Sequence, residues 1–174
     1  MPGFHPKSKR TGMDKAAFVA RFGAVFEHSP WVAEAVYKTH DALLNDAEAL
    51  AAQFESVFLA SDPPQQLATL RAHPQLACAL AAPDELTVDS INEQSDVGLD
   101  RCSTEELTEF SRLNINYNDK FGFPFIIAVK GRTRQEILRA FRERLNNDLQ
   151  LEFQTALRQT CQIARFRIMD IIND

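Results

Sequence analysis

The chain has 174 residues, 45% hydrophobic and 25% charged with only 6 glycines, the make-up of an ordinary globular protein long enough to bury its own core. A net charge of −5 argues against a nucleic-acid partner, whose phosphates draw their affinity from clustered Lys and Arg. No apolar run approaches the roughly 20 residues of a membrane span, no apolar signal-peptide core opens the chain, and the 3 cysteines lack the spacing of a disulfide framework or thiolate metal site, so the expected location is cytoplasmic.

Residues 1–13, with the short basic run Lys7, Lys9 and Arg10, read as a flexible N-terminal tail, and residues 14–174 as one all-helical domain. Asp14 is placed to cap a first helix bearing Phe18, Val19, Phe22, Val25 and Phe26, and Ser29-Pro30 opens a second at Trp31. From Asp41 to Ser61 the apolar residues Leu43, Ala47, Leu50, Phe54, Val57 and Phe58 recur at helical spacing, and Asp62-Pro63-Pro64 ends that run. A helix through Leu67 and Leu70 should stop near Ala72, because the residue before Pro74 is pushed out of the α region. Asp89 or Ser90 is a candidate cap for a short helix.

Ser103 to Glu106 and Thr133 to Glu136 both have capping-box spacing, each opening a helix; the first closes at Phe121-Gly122 and the second gives way to Asn146-Asn147. The last helix carries a stripe of Phe153, Leu157, Thr160, Cys161, Ala164, Ile168, Ile171 and Ile172. Between the two capping boxes lies FGFPFIIAVKG, residues 121–131, a proline-bearing apolar loop in an otherwise helical chain. With no alternating pattern longer than Ile126 to Val129, the fold class is all-α, a single-domain helical bundle-like fold with an irregular apolar loop near residues 121–131.

Four places put polar chemistry where local structure breaks. His73-Pro74 sets an imidazole at a helix junction, either aimed into a pocket or capping the helix end. Ser90, Glu93 and Gln94 share one side of a short helix, which is either a functional face or an ordinary acidic first turn. Arg167 sits at the margin of the last apolar stripe, where it either grips a carboxylate in two-pronged fashion or pairs with Asp170. The loop at 121–131 has backbone amides that a helix does not consume, and serves either as a source of donors for a flat polar ligand or as a buried linker. Phosphate loops, dinucleotide fingerprints, H-E-x-x-H and G-x-S-x-G are absent from the sequence.

Taken together, Phe26-Glu27-His28-Ser29-Pro30-Trp31, His73-Pro74-x-Leu76-Ala77, Ser90-x-x-Glu93-Gln94-x-x-x-Gly98-Leu99, Lys120-Phe121-Gly122-Phe123-Pro124-Phe125 and Ile163-Ala164 with Arg167 resemble the 2-oxo-4-hydroxy-4-carboxy-5-ureidoimidazoline (OHCU) decarboxylases of urate degradation. The resemblance covers nearly the whole chain from about Asp14. It implies an all-α, usually dimeric enzyme that converts OHCU to (S)-allantoin with no metal and no organic cofactor. It also implies His73 as proton donor, Glu93 and Arg167 completing the charged site, and a substrate pocket lined by Pro74, Ser90, Ile91, Asn92, Glu93, Gln94, Phe125, Ile126, Ile127, Ala128 and Val129. The chain ends in Ile171-Ile172-Asn173-Asp174 rather than a peroxisomal address, in keeping with a bacterial-type cytoplasmic protein. Two other readings stand beside this one: a non-catalytic helical dimerisation module with no convergent pocket, and an enzyme acting on a related ureide.

Overall fold

The computed structural model describes residues 13–39, 46–77 and 87–174. The basic tail, Cys78 and the start of the run from Asp41 lie outside the described residues. Within them are eight α-helices and no strand: α1 Lys15–Phe22, α2 Trp31–Val36, α3 Ala47–Leu59, α4 Pro63–Ala72, α5 Val88–Asp96, α6 Thr104–Phe121, α7 Arg134–Arg144 and α8 Leu149–Asn173. Single 3₁₀ turns at Tyr37–Thr39 and Leu99–Arg101 extend α2 and follow α5. Among the described residues no helix is long and apolar enough to cross a membrane.

The helix starts follow from side chains that satisfy amides the first turn leaves open. Asp14 accepts from the Ala17 amide at 2.8 Å, and both capping boxes, at Ser103 with Glu106 and at Thr133 with Glu136, are formed. Asp62 does something the sequence reading assigned differently. Rather than ending α3, which stops at Leu59, it caps α4 through the Gln65 amide at 2.8 Å, with the two prolines in the first turn where their missing N–H groups cost nothing. Likewise α5 is capped by Thr87, not by Asp89 or Ser90, and that shift frees the Ser90 hydroxyl for the interior.

The 25-residue α8 is the spine. Its apolar stripe packs most extensively on α3 and also touches α1, α4 and α6. The core is rich in phenylalanine: Phe18, Phe22, Phe26, Phe54 and Phe58 form one run of ring contacts, and Phe110, Tyr117, Phe123, Phe125 and Phe141 another. Burying each such ring contributes on the order of 2 kcal/mol. The loop after α6 is possible because Gly122 closes the helix at φ 74°, a left-handed conformation that a side chain would strain. Phe123 through Val129 then run buried through the molecule.

α1 is shorter than the apolar spacing suggests, since Val25 and Phe26 lie in the turn beyond it. The same turn holds His28 at φ 47°. That left-handed residue is exposed, while its neighbours Glu27 and Ser29 point inward, 1% and 5% exposed. The Ser29 hydroxyl ties the turn to α4 through Thr69 Oγ1 at 2.9 Å.

Candidate active site

Four chain segments bring polar groups to one place: the Glu27 turn, the end of α4, the inner face of α5 and the middle of α8. Arg167, 5% exposed on α8, is its hub. Its Nε donates to Glu93 Oε1 at 2.7 Å and its Nη2 to Glu93 Oε2 at 3.0 Å, a two-pronged grip, and Nη2 also reaches Glu27 Oε1 at 2.9 Å. Nη1 faces the Ala24 carbonyl at 3.4 Å. Asp170, the alternative partner for Arg167, bonds instead to Lys130 at 3.1 Å.

Glu27 is the member that sequence reasoning did not assign to the site. Its Oε1 accepts from Arg167, from the Ser90 hydroxyl in a short bond, and from Thr87 Oγ1 at 3.1 Å; its Oε2 is buried with no hydrogen-bond partner. Burial by itself would raise the Glu27 carboxyl, but the Arg167 charge and the Ser90 hydroxyl outweigh it and hold the group below the usual carboxylate range. Burial also works against the charge of Arg167, yet Glu93 and Glu27 together keep it firmly protonated. One sequence signal was available: a carboxylate set between Phe26 and the Ser29-Pro30 break, where an apolar run should continue.

His73 takes an extended conformation, ψ 136°, as Pro74 requires, and ends α4. Its Nδ1 lies 3.3 Å from the Pro74 carbonyl oxygen, and its buried Nε2 has no partner. Burial pushes the imidazole down to about 4; the Glu27 carboxylate opposes that shift and Arg167 adds to it. The ring is therefore neutral near pH 7, with a nitrogen unspent.

On α5 the inward and outward faces separate cleanly. Ser90 and Gln94 are buried, Glu93 is partly exposed at the cluster's outer end, and Ile91 and Asn92 lie on the exposed side without a bond to the cluster. Gln94 is occupied structurally: its Oε1 accepts the Ala77 amide at 2.9 Å, holding that residue at φ 58° at the end of the His73–Ala77 turn. Pro74 is half-buried beside His73.

The 121–131 loop divides in two. Phe125 and Ile126 put their side chains into the core, Phe125 stacking on Phe141 at 3.8 Å. Ala128 and Val129 instead border a cleft of about 170 Å³ together with Glu93, Val97, Ile163 and Phe166. Its lining is mixed: these apolar side chains form one part, and Glu93, Asp96, Lys130 and Asp170 add charged groups. His73 is not among the cleft's lining residues. Cys161, as its place on the apolar stripe suggested, is buried, which pushes its thiol up to about 12 and leaves it no nucleophile. Among the described residues no group of three His, Cys, Asp or Glu side chains is arranged to hold a metal ion.

A helical dimerisation module has no reason to gather Glu27, Ser90, Glu93 and Arg167 from three distant stretches of chain around a buried imidazole. What the arrangement can do chemically is hold two carboxylates on one guanidinium, the buried Glu27 close to a neutral base and Glu93 at the partly exposed outer end.

Residues 11–169 match the family model described as OHCU decarboxylase. Among curated proteins, the chain is 38% identical over 164 residues to a uric acid degradation bifunctional protein of Bacillus subtilis, covering 93% of this chain and 32% of that protein. It is 36% identical to a 2-oxo-4-hydroxy-4-carboxy-5-ureidoimidazoline decarboxylase of Halalkalicoccus jeotgali, covering 91% and 86% of the two chains. The chain thus spans about a third of the bifunctional relative and most of the single-function one. Among solved structures, an (S)-allantoin synthase superimposes with TM-score 0.72 at 30% identity, covering 91% of this chain and 51% of that one. An OHCU decarboxylase crystallised in the presence of (S)-allantoin gives TM-score 0.61 at 25% identity over 77% of this chain and 90% of that one.

Proposed function

The chain belongs to the OHCU decarboxylase family, and from that premise we propose that it decarboxylates OHCU to (S)-allantoin, with His73 moving the proton and Glu93 and Arg167 as the charged groups of its site. The observation that carries this reading is the buried Arg167 holding both Glu93 and Glu27 next to an imidazole whose Nε2 is unpartnered. Such a cluster is costly to bury and has no packing rationale of its own.

The chemistry asks little of a cofactor. Loss of carbon dioxide sends the C–C electron pair into the neighbouring C=N bond, and the nitrogen that receives it takes up one proton. The enol so formed becomes a carbonyl when its hydroxyl proton leaves and the adjacent ring carbon gains one. His73 starts neutral, so its free nitrogen can take the hydroxyl proton, and the imidazolium then returns it to carbon from one side only. Proton transfer by a positioned side chain is worth about 10²- to 10⁴-fold.

Arg167 has its donors committed to Glu93, Glu27 and main-chain carbonyls, so in this reading it fixes the carboxylates rather than the departing group. That choice suits catalysis, because a tight grip on the substrate carboxylate would stabilise the ground state and slow its loss. Two carboxylates against one guanidinium leave an excess of negative charge, which favours conversion of a carboxylate into neutral carbon dioxide. Glu93, at the outer end, is placed to accept from the substrate hydroxyl or ureide N–H. Pro74, Ser90 to Gln94 and the backbone of Phe125 to Val129 form the surrounding pocket in this assignment. A cytoplasmic homodimer completes the reading.

The test is OHCU generated freshly from urate, with its ultraviolet decay and the optical activity of the product followed with and without the protein. Accelerated decay to optically active allantoin is expected. Unchanged decay overturns the proposal, and racemic product from an accelerated reaction overturns the one-sided proton transfer.

A further inference from the structure

We propose that Gln159, Arg132 and Arg144 are positioning residues that seal one edge of the 126–129 backbone and thereby turn the Ile127 and Val129 amides toward the substrate; this rests on the function proposed above. Arg144 Nη1 donates to the Ile126 carbonyl at 2.7 Å, Arg132 Nε to the Ala128 carbonyl at 3.0 Å, and Gln159 Oε1 accepts the Ala128 amide at 2.9 Å. No peptide bond among the described residues is cis. In a trans peptide the C=O and the following N–H point in opposite directions. Anchoring the carbonyls of Ile126 and Ala128 therefore aims the amides of Ile127 and Val129 away from the two arginines.

Neither of those amides has a protein partner among the described residues, although Ile127 is 4% exposed and Val129 6%. Buried main-chain donors almost always find an acceptor. Val129 borders the cleft that Glu93 edges, so a flat ureide with carbonyl oxygens is a fitting acceptor for its amide, and for that of Ile127 where the ligand extends along the same backbone edge.

Arg144 is itself held. Arg144 lies over the Phe125 ring at 4.3 Å and donates twice to Glu152 Oε1, at 2.9 and 2.6 Å, while Glu152, 0% exposed, also takes a short bond from the Tyr117 hydroxyl. Gln159 is the member whose replacement leaves that buried network alone. It contributes only an acceptor, a role that a glutamate keeps and a leucine loses.

Steady-state kinetics with freshly generated OHCU on the wild type, Gln159→Leu and Gln159→Glu test the proposal. The leucine variant should raise KM roughly tenfold while kcat stays within about threefold, and the glutamate variant should restore the wild-type KM, a loss on the scale of one ordering hydrogen bond. A leucine variant with wild-type KM, or a glutamate variant as impaired as the leucine one, overturns it. If the wild type itself leaves OHCU decay unchanged, the function proposed above fails, and amide exchange decides the positioning claim on its own. The Ala128 amide should be protected in the wild type and Gln159→Glu and exchange faster in Gln159→Leu; equal protection in all three overturns it.

Discussion

Arg167 grips both carboxylate oxygens of Glu93, 74 residues earlier in the chain, and in doing so joins the spine helix α8 to the short α5. The same guanidinium is the counter-charge of the buried Glu27. Replacing Arg167 by methionine keeps bulk but leaves Glu27 uncompensated, and removing one partner of a buried pair costs about 3–5 kcal/mol. Urea denaturation should show that loss. Arg167→Lys keeps the charge but not the fork, so it should recover part of the stability while the rate on OHCU remains reduced at least tenfold. A lysine variant with wild-type rate would show that the two-pronged geometry is dispensable.

Glu27 and His73 feel each other electrostatically, the carboxylate raising the imidazole against the downward push of burial and of Arg167. Glu27→Gln removes the opposing charge with little change of shape. The His73 imidazole should then titrate below its already depressed value of about 4, or not at all above the acid limit of the fold. An NMR titration of the ring carbons measures this, and an upward shift would contradict the assignment of Glu27 as its charge partner.

His73 also links stability to pH. Its folded value of about 4 lies below the ordinary 6.5, so between these limits the unfolded chain binds the proton more readily than the folded one. Stability is therefore complete above about pH 6.5 and falls as the pH drops toward 4, by up to roughly 3 kcal/mol from this residue. In His73→Gln that component of the slope should vanish, which unfolding free energies between pH 7 and 4.5 would reveal. The same variant should lose about 10²- to 10⁴-fold in rate if the imidazole moves the proton. Full activity in His73→Gln would remove the residue from the mechanism.

Behind the loop, Tyr117 donates to Glu152, which Arg144 and Asn147 also hold, the latter at 2.8 Å. Burial and the adjacent carboxylate raise the phenol well above its ordinary range, so the hydroxyl stays a donor at any accessible pH. Tyr117→Phe keeps the ring contacts with Phe125 and Phe141 and deletes only the bond to a charged acceptor. A cost of about 1.5–3 kcal/mol is expected from denaturant unfolding, with KM for OHCU little changed because Arg144 remains on the Ile126 carbonyl. A loss below ~0.5 kcal/mol would mean that this bond is replaced by another when the hydroxyl goes.

Much of this molecule was legible before its coordinates. Capping boxes at Ser103 and Thr133 and the stripe on α8 are local patterns, set by spacings of three and four residues, and they came out as read. The convergence of Ser90, Glu93 and Gln94 on one face of α5 follows from the same periodicity. His73 at the end of α4 follows from the stereochemistry of Pro74.

Other features had no local signature. Whether Arg167 answered Asp170, within one turn, or distant carboxylates was open on spacing alone, and Lys130 settled it by taking Asp170. Glu27 reaches Arg167 across 140 residues, so its role depends on how α1 and α8 pack and not on its neighbours. Asp62 and Thr87 show the smaller version of this: a capping residue is identifiable by type, but which of two adjacent helices or which of three polar neighbours it serves is decided by the path of the backbone. The loop at 121–131 was conspicuous in sequence, yet only the packed arrangement of Arg144, Arg132 and Gln159 determines which of its main-chain groups find a protein partner. The chain by itself determined the helices and the chemistry they carry; the tertiary structure decided which charges meet, because hydrophobic periodicity is written locally whereas ion pairs form wherever packing brings opposite charges together away from water.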